Sequence, residues 1–274
     1  MKKIICLFII LSFSFFTTAC NTSVESFSQK EKDYGVFLSI DASEMEKLNG
    51  YQTVVIDAQY FSKQDIQTLH KNGTVVYTYL NIGSIENFRD YYSTYKSLTL
   101  GDYENWEEEK WIDVSNKQWQ TFIANLSNSL LEKEVDGFFI DNCDVYYYQP
   151  TEEIFLGLSE ILRGIKTSGK KVIINGGNTY ITRYRETYGS AKNIMTAVNQ
   201  EEVFSIYDFD ASACETNTDE EKAYFCDYIE ACSADGMDVY LLEYTTDRKL
   251  ITQIETYCKE KGFRYYISDS IELD

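Results

Sequence analysis

The sequence is short of histidine, proline and positive charge. One histidine in 274 residues cannot supply the paired imidazoles of a zinc hydrolase. A single proline also argues against a modular protein whose domains are separated by proline-rich linkers. Lysine and arginine number 25, against 44 aspartates and glutamates, and the net charge at pH 7 is −19. Because nucleic-acid binding needs a basic surface, we expect no nucleic-acid partner. Hydrophobic residues make up 44% of the chain, which suits a packed domain and excludes a disordered one.

The N-terminal segment has the pattern of an export signal. Lys2 and Lys3 precede an apolar run over residues 4–16, which is too short to span a bilayer comfortably. Ala19 is then followed by Cys20, a junction that resembles the signal of bacterial lipoproteins, in which cleavage leaves the cysteine as a lipid-bearing N-terminus. An ordinary secretory signal cleaved near Ala19 is the alternative. We predict an extracytoplasmic protein, held at the bacterial cell membrane by a lipid on Cys20 or secreted.

This signal and the composition divide the chain into three parts. Residues 1–19 are predicted as a signal peptide, residues 20–33 as the anchor cysteine with a polar flexible tether, and residues 34–274 as a single domain. We expect the domain to be a monomer. It contains five cysteines, and an odd number fits no complete disulfide framework. Burial as small apolar residues is the favoured interpretation, and a bridge from Cys214 to a cysteine of the following helix stays open.

Eight short apolar runs alternate with amphipathic stretches along this domain. Such continuous runs are typical of parallel strands covered by helices, and a glycine stands where several of the predicted helices end. Eight strand–helix repeats predict an α/β fold, a single-domain (β/α)8 TIM barrel. A doubly wound sheet is the alternative, but no glycine-rich phosphate loop follows the first strand. The predicted strands are residues 34–40, 53–56, 74–80, 137–140, 171–174, 194–198, 239–242 and 263–267.

An acid or an amide follows every predicted strand. The carboxyl ends of all strands of a TIM barrel meet at one face, where active sites lie. Aspartate and asparagine also cap helices, but capping explains eight such positions poorly, and glutamate is not a favoured cap. We therefore predict that these side chains surround a site. They are Asp41, Asp57, Asn81, Asp141 with Asp144, Asn175, Glu201, Glu243 with Tyr244, and Asp269.

Two carboxylates are sufficient to hydrolyse a glycosidic bond, one as acid and the other as nucleophile or base. This chemistry needs neither histidine nor metal, so we expect no cofactor and no metal ion. The only histidine, His70, falls within a predicted helix and away from the strand ends, which does not suit a catalytic triad. Cys143 lacks a histidine partner. A hard-cation site built from Asp141, Asp144 and Glu201 is the alternative.

Several segments resemble motifs of glycoside hydrolase family 114, the endo-α-1,4-polygalactosaminidase-like barrels. The segment VDGFFIDNCD at residues 135–144 is similar to the strand that carries the family's acidic motif. The similarity extends from about Tyr34 to the C-terminus. Further segments that resemble the family are residues 79–86 with Arg89, residues 111–114 with Trp119, residues 199–204 and residues 241–244.

The resemblance implies roles for individual residues. Asp141 and Glu201 match the catalytic pair of the family, and Asp144 matches a second aspartate that orients the substrate or Asp141. We expect Asp141 to be the nucleophile and Glu201 the general acid and base of a retaining mechanism. Replacement of Glu202, the neighbour of Glu201, by glutamine is expected to leave the activity nearly unchanged. The remaining residues predicted to bind substrate are Asp41, Asp57, Asn81, Asn175, Glu243 and Tyr244.

The resemblance also implies a substrate, an α-1,4-linked galactosaminyl polysaccharide. A strongly acidic protein suits a polycationic polymer through long-range attraction. Two other functions stay open, because a fold does not fix a function. One is a sugar-binding lipoprotein without activity, and the other is a hydrolase that acts on a different glycan.

Overall fold

The computed structural model describes residues 32–274, so the predicted signal peptide and Cys20 lie outside the described residues. Thirteen strands are present in this part of the chain. They are β1 (Lys32–Phe37), β2 (Tyr51–Ile56), β3 (Val75–Asn81), β4 (Ser84–Glu86), β5 (Thr99–Asp102), β6 (Glu109–Ile112), β7 (Gly137–Asp141), β8 (Lys171–Asn175), β9 (Ala197–Glu201), β10 (Ser205–Asp208), β11 (Ala213–Thr216), β12 (Asp238–Tyr244) and β13 (Arg264–Ser268).

Helices follow the strands and cover the outside of the sheet. The α-helices are α1 (Lys63–Lys71), α2 (Tyr92–Tyr95), α3 (Lys117–Leu131), α4 (Val145–Tyr148), α5 (Glu152–Lys166), α6 (Asn178–Tyr188), α7 (Asp219–Ala234) and α8 (Arg248–Lys261). Short 3-10 helices cover Ala42–Leu48, Ala58–Tyr60 and Lys96–Leu98. Within residues 32–274, none of the helices has the length and apolar character needed to cross a membrane.

Eight of the strands form one parallel sheet, in the order β1-β2-β3-β7-β8-β9-β12-β13. The sheet curls until β13 lies beside β1, where the rings of Phe37 and Tyr266 are 5.5 Å apart. The amide of Leu38 donates to the carbonyl of Leu273 at 2.9 Å, which ties the C-terminal residues to the end of β1. The eight predicted strands and the (β/α)8 TIM barrel are confirmed.

One boundary differs from the sequence prediction in a way that matters for the site. The sixth barrel strand begins at Ala197 and not at Ile194, because Ile194 and Met195 are buried against the helices before the strand starts. The strand therefore continues to Glu201, and Asn199 lies inside it and not beyond its end. The first strand also begins earlier, at Lys32.

Two insertions follow the carboxyl ends of barrel strands. Between β3 and β7 the chain forms a three-stranded antiparallel sheet, in the order β4-β6-β5. After β9 it forms the antiparallel hairpin of β10 and β11. The five cysteines of residues 32–274 are free thiols, and Cys143, Cys232 and Cys258 are buried.

Candidate active site

The side chains of the site residues point toward the barrel axis because of the alternation along each strand. The interior is filled by Tyr79, Phe139, Ile173, Ala197 and Leu242 from five different strands. Because side chains alternate with a period of two, the residue two positions further along each strand points the same way. Those residues are Asn81, Asp141, Asn175, Asn199 and Tyr244, and Glu201 lies two positions beyond Asn199.

One amide group joins the two predicted catalytic carboxylates. Asn175 Nδ2 donates to Asp141 Oδ1 at 3.0 Å and to Glu201 Oε1 at 2.6 Å. Each carboxylate receives a second bond from a tyrosine hydroxyl, Asp141 from Tyr79 at 3.0 Å and Glu201 from Tyr244 at 2.6 Å. The structure thus brings together four of the residues singled out in the sequence and adds Tyr79 to them.

The orientation of the Asn175 amide is fixed from inside the barrel. Asn199 Nδ2 donates to Asn175 Oδ1 at 2.7 Å, so the nitrogen of Asn175 is turned toward the carboxylates. Asn199 is held in turn by the Tyr34 hydroxyl, which donates to its Oδ1 at 3.2 Å. Tyr34 and Asn199 are fully or almost fully buried. This polar chain is therefore shielded from water between β1 and the site.

Burial is the main electrostatic influence on both carboxylates. Burial and then the charge of Asp141 raise the pKa of Glu201 to about 7, although the bonds from Tyr244 and Asn175 lower it. Burial also raises the pKa of Asp141, and its bonds from Asn175 and Tyr79 oppose this rise. Near neutral pH, Glu201 therefore still carries a proton in a large part of the molecules. The pair can therefore supply one nucleophile and one acid.

Asp144 lies beside the pair and holds the turn that follows β8. Its Oδ2 accepts from the backbone amide of Gly177 at 2.9 Å. Gly176 and Gly177 both have positive φ, and a Cβ on Gly176 would lie 2.8 Å from the same oxygen. Burial and the charge of Asp141 raise the pKa of Asp144 to about 6. Its contacts position the turn next to Asn175, and its role toward the substrate stays a prediction.

Other residues predicted to bind substrate are engaged in local contacts. Asn81 is buried and exchanges hydrogen bonds with Ser84 at 2.7 and 3.0 Å. Asp57 is buried and pairs with Arg89 at 2.6 Å. Asp41 is exposed and caps the 3-10 helix that follows β1. Their part in substrate binding therefore stays a prediction.

Glu243 lies on the outer side of β12, away from the barrel axis. It is fully buried, and its carboxylate accepts from the amides of Val203, Phe204 and Ser205 at 2.8 to 3.1 Å. The Ser205 hydroxyl donates to it as well, at 2.6 Å. These contacts fix the loop that leaves Glu201 and leads into the hairpin. Since Tyr244 points to the axis, its neighbour on the strand has to point outward.

The sequence reasoning missed Glu109, on β6 of the inserted sheet. Its Oε2 accepts from the Ser84 hydroxyl at 2.6 Å, and Asn142 donates to the same oxygen at 3.3 Å. Burial and the charge of Glu86 raise its pKa to about 7. No strand-end pattern marks this residue. The sequence marked its position only indirectly, because Glu109 lies two residues before Trp111, where a segment that resembles the family begins.

Aromatic side chains of the two insertions and of α4 pack against one another. Tyr103 and Trp111 have ring centroids 4.0 Å apart, and Tyr148 stacks on Trp111 at 5.5 Å. Trp106, between β5 and β6, contacts Phe209 of the hairpin at 6.0 Å. Among residues 32–274, no group of three or more histidines, cysteines or acids is arranged to hold a metal ion.

Known proteins share the sequence pattern and the fold. The model of glycoside-hydrolase family GH114 matches residues 17–272. No curated protein matches the chain by sequence. The glycoside hydrolase domain of PelA from Pseudomonas aeruginosa is similar in structure, with a TM-score of 0.73 and 16% identity over 88% of this chain and 96% of that one.

Two further solved structures are similar. Ega3 from Aspergillus fumigatus, in complex with galactosamine, has a TM-score of 0.69 and 15% identity over 92% of this chain and 96% of its own. The α-galactosidase TtGalA from Thermus thermophilus has a TM-score of 0.55 and 9% identity over 85% of this chain and 57% of its own. At these identities the structural likeness establishes the barrel fold.

Proposed function

Because the chain belongs to glycoside-hydrolase family GH114, we propose that it cleaves internal α-1,4 linkages of a galactosamine-containing polysaccharide with Asp141 and Glu201. The observation that carries the proposal is the shared amide of Asn175, which holds the two carboxylates side by side. Galactosamine bound to Ega3 supports an amino-sugar substrate. The net charge of −19 favours a polycationic polymer over a neutral or anionic one.

The spacing of the carboxylates supports a retaining mechanism. Asp141 Oδ1 and Glu201 Oε1 bond to the same nitrogen at 3.0 and 2.6 Å, so they cannot be further apart than these two bonds laid end to end. That limit is below the separation of roughly 6.5–9.5 Å that an inverting pair needs to admit a water molecule. It suits the separation of about 5–5.5 Å in retaining enzymes.

The raised pKa of Glu201 supports its role as the proton donor. Asp141 attacks the anomeric carbon while Glu201 gives its proton to the leaving glycosidic oxygen, which forms a covalent glycosyl-enzyme and releases one half of the chain. Glu201, now ionised, takes a proton from a water molecule that attacks the same carbon. The bond to Asp141 breaks, and the product keeps the anomeric configuration of the substrate.

Export and membrane anchoring are also part of the proposal, on the evidence of the N-terminal sequence alone. A doubly acylated Cys20 would supply enough buried methylenes for stable anchoring. Replacement of Cys20 by serine should move the protein from the membrane fraction to the soluble fraction. A Cys20→Ser protein that stays with the membrane would contradict the lipoprotein assignment.

We propose a monomer, because one chain contributes the whole carboxylate pair.

The deciding experiment measures reducing ends released from a panel of acetylated and deacetylated hexosamine polymers. We expect release from galactosamine-rich polymer, and its loss in Glu201→Gln. The first anomer formed, followed by proton NMR, should be the α-anomer. Binding without cleavage would favour the sugar-binding alternative, cleavage of another glycan would replace the substrate, and a β-anomer would contradict the retaining mechanism.

A further inference from the structure

A pocket of about 310 Å³ opens at the carboxyl ends of β1 and β2. Its volume is within the range of small-ligand sites. The lining includes residues from three connections, namely those after β1, β2 and β4. They are Asp41, Asp57, Tyr60, Phe88 and Arg89, with the chain from Leu38 to Ile40.

Arg89 contributes a buried guanidinium to the lining of this pocket. It is 8% exposed and pairs with Asp57 at 2.6 Å and with Glu86 at 3.0 Å. Its Nε is buried, and no acceptor for it is present among residues 32–274. A buried donor without a partner costs free energy, so an oxygen atom supplied by a ligand would be favourable at this place.

Two exposed aromatic rings flank the guanidinium. The carbon Cζ of Arg89 is 5.9 Å from the ring centroid of Tyr60 and 5.0 Å from that of Phe88. The side chains are 49% and 54% exposed. Large aromatic residues left in water beside a cavity are typical of ligand sites, and their faces suit the flat, C–H-bearing side of a sugar ring.

The charge of the pocket selects for a cation. Asp57 and Glu86 outnumber Arg89, to which both are bonded, and Asp41 adds a further carboxylate at the rim. Asp41 Oδ1 accepts from the amide and the hydroxyl of Ser43, both at 2.7 Å, which lower the pKa of this carboxyl. Neither of these bonds uses Oδ2. An anionic sugar would be repelled by this arrangement.

The pocket opens on the face of the barrel that also carries Asp141, since it lies at the ends of β1 and β2 and only β3 separates β2 from β7 in the sheet. Glu86, which holds Arg89, also lies near enough to Asp141 for its charge to raise the pKa of that carboxyl. A polymer that places one linkage at Asp141 therefore runs close to the pocket. We propose that this pocket is a distal subsite for a second sugar unit of the substrate, with Tyr60 and Phe88 stacking on its ring and Asp41 binding its free ammonium group.

The inference rests on the proposed function, and the test uses chain length to separate the two. The probes are α-1,4-linked galactosamine oligosaccharides from trimer to octamer and the fully N-acetylated octamer. Asp41→Asn keeps the Oδ1 acceptor of the cap and removes only the charge. Asp247→Asn is the matched control, because Asp247 is also an exposed capping aspartate, at the start of α8.

We expect the wild-type kcat/KM to rise with chain length, and Asp41→Asn to lose about two- to fivefold on the octamer, through KM, with the trimer unchanged. The loss should disappear at high salt and on the N-acetylated octamer. Phe88→Ala should lose about three- to tenfold on both octamers, since stacking does not need the charge. Asp247→Asn should behave as wild type.

Three results would overturn the subsite while leaving the proposed function intact. They are an unchanged octamer rate in both variants, equal losses on trimer and octamer, and an equal loss in the control. If the wild-type protein cleaves no galactosamine chain, the proposed function fails. Calorimetric binding of the octamer to wild type and to Asp41→Asn then decides the subsite, and equal affinities refute it.

Discussion

The Asn175 amide is the smallest unit of the site that an experiment can remove. Asn175→Ala takes away one donor from each of the carboxylates proposed to be catalytic, and both bonds lower the pKa of their acceptor. We expect kcat to fall by about 10²-fold or more, as for other donors that stabilise charge in a reaction centre, and the pH profile to move upward. Steady-state rates from pH 4 to 9 would measure both effects.

Tyr34→Phe is the graded control for this change. Its hydroxyl acts on Asn175 only through Asn199, at 3.2 and 2.7 Å. The loss of one such bond should reduce the rate by less than about tenfold. An Asn175→Ala protein with wild-type activity would exclude a role for the shared amide.

The pH dependence follows from the protonation of Glu201 and Asp141, both of whose pKa values are raised by burial. Activity on short oligosaccharides should fall above about pH 7, because Glu201 then loses the proton that the leaving group needs. It should also fall in acid, as Asp141 becomes protonated. Tyr244→Phe removes a bond that lowers the pKa of Glu201, so the alkaline limb should move to higher pH. A limb that moves to lower pH in this variant would refute the assignment of Glu201 as the acid.

Glu201 and Glu202 form a matched pair of neighbours. Glu202 has a φ of 57°, and its carboxylate accepts from the amide of Tyr207 at 2.7 Å, within the hairpin connection. Glutamine keeps that acceptor, so Glu202→Gln should retain nearly full activity. Glu201→Gln should lose about 10²- to 10⁴-fold, since it removes general acid–base catalysis. Inactivity of Glu202→Gln beside an active Glu201→Gln would reverse the assignment.

At the scale of single elements, β12 joins the barrel to the loop after β9. Glu243→Ala would leave three backbone amides and the Ser205 hydroxyl without their buried acceptor. Each buried donor that loses its partner costs about 1–3 kcal/mol, and we expect the melting temperature to fall by more than about 5 °C. Thermal unfolding followed by circular dichroism measures this. Glu243→Gln keeps one oxygen acceptor and should lose less stability.

The barrel strands could be predicted from sequence, and the insertions could not. The buried strands are continuous apolar runs, such as Val54–Ile56, and such runs are visible without a structure. The strands β5 and β10 are four residues long and only partly buried, so they give no periodic signal. Their positions depend on contacts with residues far away in the chain.

The site was predictable in its members and less so in their geometry. Strand ends pointed to Asp141, Asn175 and Glu201, and the structure brings these three together. Side-chain alternation along β12 places Tyr244 toward the barrel axis and Glu243 on the outer side, and this difference in direction could be predicted from the sequence. The bridge itself was not, because the orientation of Asn175 depends on Tyr34, which is 141 positions away on the opposite part of the sheet.

The net charge of the whole molecule produces a long-range electrostatic field. With a net charge of −19, attraction to a polycationic polymer should raise the association rate, and salt should screen it. We expect kcat/KM on deacetylated galactosamine polymer to fall several-fold between 20 and 500 mM salt, with kcat nearly unchanged. A salt dependence of equal size on a fully acetylated polymer would refute this explanation.

The ring contact between Trp106 and Phe209 places a fluorescent side chain at the carboxyl ends of the barrel strands. The chain has three tryptophans, of which Trp111 and Trp119 are buried and Trp106 is 43% exposed. The contact joins the insertion after β3 to the hairpin after β9, and so crosses the ends of β7 and β8, which lie between them in the sheet. Collisional quenchers should therefore reach Trp106 first, and we expect a polysaccharide bound over these strand ends to change the intrinsic fluorescence of the unlabelled protein.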